Sequence, residues 1–252
     1  MASSAIPNIF SRQRRIARAM RHYRLSGRDP SGQFLRADAA EDILERLSFM
    51  QVEPCPVLIH GDAAGALGKA LSEGGFSISE GGPETHDEEQ PYPDAGVFRL
   101  IINLFALDTV NDLPGALLHI RNALPAGGLF FGCVTGAGSL PMLRQIMLAA
   151  DGERPAARLH PQIDNRAASA LMQRAGFARQ VVDTRRIEAS YRSFDRLVAD
   201  LRAQALNNVL ADAPPPLTRA ALERARDAFA ALADTDGRVT ETFEILTLTG
   251  WR

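Results

Sequence analysis

The residues with the clearest chemical potential lie where an apolar run meets a glycine turn. Val57-Leu58-Ile59-His60-Gly61-Asp62-Ala63-Ala64-Gly65 passes from short, apolar, β-branched sequence into an alanine- and leucine-rich stretch. A glycine turn between strand and helix lets backbone approach a ligand, and the helix offers its unpaired N–H groups and positive dipole end to a nucleotide-like group. Two glycines four apart also make an ordinary strand-to-helix turn, and this segment alone does not separate the two. His86-Asp87-Glu88-Glu89 is an acidic run that by itself reads as a solvated loop. His60, His119 and His160 are scattered, and no Ser/His/Asp or Cys/His spacing marks a nucleophile, so these histidines read as structural or exposed. Cys55 and Cys133 lack the paired spacing of a zinc site or a disulfide framework, and no metal is expected.

A second feature is cationic. Arg12, Arg14, Arg15, Arg18, Arg21, Arg24 and Arg28 occur with no acid before Asp29. Such a segment can mimic an organellar presequence or attract anions. The expectation is plainer: a helix with solvated arginines that packs through Ile9, Phe10, Ile16 and Met20.

The elements that must position these groups follow from periodicity. A turn is expected from Ser26 to Gly32, then a helix over Ala37 to Phe49, where Ala40, Ile43, Leu44 and Leu47 share a face. Pro56 to His60 is a strand and the alanine-rich stretch to about Leu71 a helix. Phe76 to Ser79 is a short strand, and Gly81 to Asp94 an irregular acidic loop. Phe98 to Leu104 is continuous and apolar, as buried parallel strands are. Pro114 to Ala123 (helix), Pro125 to Gly128 (turn) and Leu129 to Val134 (strand) complete a βαβ rhythm. Helices are expected over Leu140 to Ala150, Ala167 to Ala175, Phe194 to Leu210 and Leu217 to Leu232. The last two are broken by Pro214-Pro215-Pro216 and lie between strands at Gln180 to Tyr191 and Val239 to Trp251, which should pair as a late hairpin.

Composition excludes several classes. The chain has 252 residues and a net charge of -2, so no whole-molecule field draws nucleic acid. No apolar run approaches the roughly 18 residues of a membrane span, and no secretory signal opens the chain. A soluble protein of a reducing, cytoplasmic compartment is the expectation. Lys69 is the lone lysine, and the arginine and alanine bias carries no functional weight.

Three blocks go further: Phe98-Arg99-Leu100-Ile101-Ile102-Asn103, Val110-Asn111-Asp112-Leu113-Pro114-Gly115-Ala116-Leu117, and Ile120-Arg121-Asn122-Ala123-Leu124-Pro125-Ala126-Gly127-Gly128-Leu129-Phe130. Together they resemble the signature around the fourth and fifth strands of class I S-adenosylmethionine methyltransferases. Arg174-Ala175-Gly176-Phe177, Val182-Asp183-Thr184, Asp236-Gly237-Arg238-Val239, Thr242-Phe243-Glu244-Ile245-Leu246 and Leu248-Thr249-Gly250-Trp251 extend the likeness. It is similar to the branch holding the mitochondrial complex I assembly methyltransferase-like factor and its α-proteobacterial relatives, with malonyl acyl-carrier-protein O-methyltransferase a more distant cousin.

The resemblance implies an α/β, Rossmann-like seven-stranded sheet, mostly parallel with the last strand antiparallel. It implies an N-terminal helical cap over 1–50 and a methyltransferase-like domain over 51–252, with a helical insert at about 193–233. It also implies S-adenosylmethionine as cofactor, lined by Gly61, Asp62, Ala63 and Gly65, with Asp87 at the adenine and Asn103, Leu104 and Phe105 as the floor. Arg144 and Tyr191 match positions near the cleft and its lid; no catalytic residue is assigned.

The chain departs from the family at the site itself. Ile59 stands for the first-strand acid and Ala63 for a glycine, and the second-strand acid falls in Ser77-Ile78-Ser79-Glu80, where a serine replaces it. Asp108-Thr109 replaces His-Trp, and Ala203-Gln204-Ala205-Leu206 replaces a Gly-Met-Gly-Glu-like segment. The helix between the second and third strands is shortened or deleted. Two functions remain open: a methyltransferase with a degenerate cofactor site acting on an unknown protein or small molecule, or a pseudoenzyme serving as a binding or assembly factor. The partner of the second is a protein, such as a respiratory-complex subunit.

Overall fold

The structure, a computed structural model, describes residues 7–26 and 32–252. Most of the turn expected from Ser26 to Gly32, with Arg28, lies outside the described residues. The apolar runs become β1 (Pro56–His60), β3 (Leu100–Leu104) and β4 (Leu129–Thr135), nearly continuous in hydrophobicity because both of their faces are covered. Side chains alternate between two cores: Ile59, Ile102 and Phe131 enter one, and Leu58, Ile101 and Phe130 the other.

Among the described residues the sheet has six strands in the order β2-β1-β3-β4-β6-β5. Here β2 is Ser77–Gly81, β5 is Ala178–Tyr191 and β6 is Val239–Trp251. β6 runs antiparallel to both β4 and β5, and the other pairings are parallel. The seven strands expected from the resemblance are corrected to six. Residues 82–99 form no strand, because Pro83, Pro91 and Pro93 remove backbone donors and no apolar alternation lies between them. β2 is therefore the outermost strand beside β1.

One core is roofed by α2 (Phe34–Phe49), α3 (Ala66–Glu73), α5 (Pro141–Asp151), α7 (Phe194–Ala203) and α8 (Arg219–Ala231), through residues such as Ile43, Leu67, Ile146, Leu197 and Phe229. The other is roofed by α4 (Leu113–Ala123) and α6 (Asn165–Ala175), through Leu117, Ile120 and Met172. Side-chain oxygens of Asp112, Asp164, Ser193 and Thr218 accept from the first-turn amides of α4, α6, α7 and α8, which explains where those helices begin. The β5–β6 hairpin forms with α7 and α8 inserted between its strands, as expected.

Two helices differ from expectation. α7 stops at Ala203 rather than Leu210, because Ala205 takes a left-handed conformation (φ 56) and Leu210 returns to bridge Phe10. α1 (Arg12–Ser26) is rotated relative to the expected packing. It buries Arg15, Arg18, His22 and Ser26, while Met20 is 53% exposed.

α5 begins at a left-handed Leu140 with no side-chain cap of its own. Glu241 of β6, fully buried, takes that role by accepting from Leu143 N at 2.7 Å and Met142 N at 3.3 Å. Glu241→Ala strands these amides and lowers unfolding free energy by about 1–3 kcal/mol; Phe131→Ala costs about 3–5 kcal/mol. Urea unfolding checks both, and a neutral Glu241→Ala refutes the remote cap.

Candidate functional site

In an open, doubly wound sheet, ligands bind beyond the carboxyl ends of the strands where the strand order reverses. That point lies between β1 and β3 here. Gly61 leaves β1 at φ +89, and a Cβ there would sit 2.1 Å from Leu104 O, so only glycine suits the crossing. Asp62 follows and turns inward. Its Oδ2 accepts from Gly68 N at 2.8 Å, with the amides of Leu67 and Ala66 also turned to it, so the anion-binding end of α3 is taken by the chain's own carboxylate. Burial raises the Asp62 pKa against these amides.

The floor expected from sequence is present. Leu104 and Phe105 line the cleft, and Phe105 is held at φ 57. Asn103 is buried; its Oδ1 accepts from Ala106 N and Leu107 N, which shapes the turn after β3, while its Nδ2 has no partner among the described residues. Gly65 opens α3 at φ 67 and Ala63 is half-buried. Asp87 is paired at 2.9 Å with Arg12 at the surface. Arg144 is exposed on α5, and Tyr191 is buried in the core, where burial and Asp200 raise its phenol; neither lines the cleft.

Four side chains unmarked as site residues in the sequence fill the cleft. Arg36 of α2 donates from Nε to Gly61 O (3.1 Å) and from Nη1 to Gln204 O (2.7 Å), and lies over the Phe105 ring at 5.2 Å. Arg18 donates to Thr109 Oγ1 (2.9 Å) and Asn207 O (3.3 Å). Arg15 pairs with Glu88 at 2.8 Å, and His22 Nδ1 donates to Ala203 O at 3.0 Å. Burial lowers both Arg18 and Arg36 to about 10. Burial also raises Asp108 to about 6, although its Oδ1 accepts from Thr135 N (2.6 Å) and Thr135 Oγ1 (2.8 Å).

A cavity of about 40 Å³ remains among these side chains. Sites for drug-sized ligands run to about 300–1,000 Å³. S-adenosylmethionine does not fit between the side chains as they stand. The departing positions are contact points instead: Thr109 receives Arg18, Gln204 receives Arg36, and Ala205 keeps at φ 56 a backbone shape that suits glycine. Glu80 is exposed, and its Oε1 shares the neighbourhood of Gly68 with Asp62 Oδ2, so a carboxylate stands near the mouth one residue beyond Ser79. The one signal for the arginine face was its acid-free i, i+3, i+7 spacing at 15, 18 and 22.

Elsewhere, the buried His60 at the end of β1 gathers with the half-buried His86 and Tyr92 in an aromatic group. Among the described residues no His, Cys, Asp or Glu trio is arranged to hold a metal. A larger apolar groove, about 520 Å³, lies under Phe49 and Trp251 on the opposite side of α2 and holds none of the expected site residues.

No family model matches the chain. It is similar to the mitochondrial arginine-hydroxylase NDUFAF5 of Rattus norvegicus, 31% identical over 66% of this chain and 50% of that protein. It is also similar to malonyl-[acyl-carrier protein] O-methyltransferase of Laribacter hongkongensis, 29% identical over 66% of this chain and 55% of the enzyme. The chain thus spans about half the length of these curated relatives. Among solved structures it is similar to phosphoethanolamine N-methyltransferase 2 of Haemonchus contortus bound to S-adenosylhomocysteine, 12% identical over 85% of this chain and 53% of that one, with a TM-score of 0.47.

Two outcomes test the site's construction. Gly61→Ala meets Leu104 O and a disfavoured φ, and loses about 1–3 kcal/mol of stability by denaturant titration. Burial depresses His160 from the ordinary 6.5 to about 3, so the folded state stays neutral while the unfolded chain takes up a proton below 6.5. Stability from this group is lost as pH falls from 6.5 toward 3, the opposite sign to Asp108, whose raised pKa favours the folded state on acidification. The stability gap between wild type and His160→Gln therefore narrows on acidification below 6.5, read by urea midpoints; a gap independent of pH refutes it.

Proposed function

We propose that this chain, which belongs to the class I S-adenosylmethionine-dependent methyltransferase superfamily, keeps that scaffold around a degenerate cofactor site and works as a binding or assembly module. S-adenosylmethionine is the superfamily's cofactor, and its place is the cleft beyond β1 and β3. One observation carries the reading: Arg15, Arg18, His22 and Arg36 occupy that place and leave about 40 Å³. Thr109, one of the departures from the family pattern, receives Arg18 through its own hydroxyl, so substitution and filling support the same conclusion there. The relatives' names mention arginine and an acyl-carrier protein. Carried over, they favour a protein as the partner, and an assembly role beside a respiratory-complex subunit fits that branch. Residues 1–50 act as the cap in this reading. The cytosol remains the compartment we favour; no described helix is long and apolar enough to cross a membrane.

A second reading is an active methyltransferase in which α1 withdraws to admit the cofactor. The Glu80 carboxylate beside Asp62 favours it, as does the half-exposed Arg12–Asp87 pair at the start of α1.

Calorimetric titration with S-adenosylmethionine and S-adenosylhomocysteine separates the two. The native chain gives no heat up to about 1 mM, the range of binding near -4 kcal/mol. Micromolar affinity, about -8 kcal/mol, would overturn the degenerate site. Binding that appears only in an Arg15→Ala/Arg18→Ala variant shows that these side chains block the native cleft and supports the degenerate site.

A further inference from the structure

The three cleft guanidiniums are not equally compensated. Arg15 meets the buried Glu88 carboxylate directly. Arg18 and Arg36, 9% and 7% exposed, meet only neutral acceptors: Thr109 Oγ1 and Asn207 O for the first, Gly61 O and Gln204 O for the second. Among the described residues, neither makes an ion pair. Asp108 is the main opposite charge felt by both, at longer range, while Arg15 and Arg36 act on Arg18 as like charges. Against Arg15, Arg18 and Arg36 stand Glu88, Asp108 and, on Arg36, Asp62, and burial raises all three acids toward their neutral forms. Only Glu88 meets a guanidinium directly, so Arg18 and Arg36 are left without a carboxylate in contact among the described residues.

A buried charge without a partner is costly, and chains retain one where a counter-charge arrives from elsewhere. Arg15, Arg18 and Arg36 line one cavity of about 40 Å³. That is several times the roughly 10–15 Å³ needed for one water, enough for a compact charged group and far short of a nucleoside. Arg18 Nε and Arg36 Nη2 are uncommitted among the described residues. Phe105 and Ala205, in the same wall, hold left-handed backbone, the kind of local strain that clusters at ligand sites.

We infer that this cleft is an oxyanion site, in which Arg18 and Arg36, assisted by Arg15, bind the carboxylate or phosphate group of a small ligand. The inference rests on the reading above that the cofactor's place is refilled by arginine. Planar guanidinium forks suit both groups.

The test uses the full chain with inorganic phosphate and with malonate, against chloride at equal ionic strength, read by melting temperature and calorimetry. Saturable binding is expected, and a hundredfold excess over Kd raises the melting temperature by roughly 5–10 °C. A stronger response to phosphate identifies a phosphate ligand, and a stronger response to malonate a carboxylate ligand. Arg18→Met and Arg36→Met each abolish the response, whereas Arg12→Ala, which removes only the surface pair with Asp87, keeps it. If a methionine variant fails to fold, Arg18→Lys decides: it keeps the charge, loses the fork and binds more weakly than wild type. Equal affinity in wild type and an Arg18 variant overturns the site, as does a flat response to both anions. S-adenosylmethionine is titrated in parallel: silence to all three ligands overturns the oxyanion site alone, while heat with S-adenosylmethionine only overturns the degenerate site as well.

Discussion

A single guanidinium ties four parts of the chain together. Arg36 rises from α2, binds the carbonyl of Gly61 where β1 ends, binds the carbonyl of Gln204 where α7 ends, and stacks on Phe105 just after β3. Each contact fixes an element that would otherwise border an open cleft. The geometry requires a glycine at 61, because the Gly61 backbone must pass within reach of Leu104 O while presenting its own carbonyl to Arg36. It also requires the chain to reverse at Ala205, which sets the end of α7. The arginine face of α1 then lies over this arrangement, with Arg15 and Arg18 reaching Glu88 and Thr109.

The departures from the family pattern therefore act together. Thr109 offers a hydroxyl suited to a guanidinium. Asp108 holds Thr135 and supplies distant opposite charge to Arg18 and Arg36. Asp62 satisfies the amides at the start of α3 from within the chain. Hydrogen bonds join part of this cleft, while Asp108 Oδ2, Asn103 Nδ2 and the side-chain Oε1 of Gln204 are buried without partners among the described residues.

Much of the fold was legible because its drivers are local and strong. Continuous apolar runs at Val57 to Ile59, Leu100 to Leu104 and Leu129 to Val134 have few outcomes except buried strands, whereas the caps at Asp112, Asp164 and Thr218 that fix where three helices start emerge only in the structure. The strand count failed because family pattern was carried across a segment whose prolines forbid it. The site was only partly legible. Gly61, Leu104 and Phe105 reach the cleft, but Asp87 is engaged at the surface and Tyr191 in the core. α1 was misread for a physical reason: amphipathicity assigns arginine to water, and no local signal tells that Glu88, Thr109 and backbone carbonyls wait across the cleft to receive it.

The missing outer strand leaves β2 with one side of its hydrogen-bonding ladder open. Such rims are templates for pairing between molecules, and long apolar ones seed aggregation. This rim spans five residues, Ser-Ile-Ser-Glu-Gly, polar at most positions and followed at once by Gly82 and Pro83. Glu80 adds charge repulsion between copies, and the glycines and proline break any extension. The composition of this segment thus makes it a poor seed for misassembly, so the sheet can stay narrow without becoming adhesive.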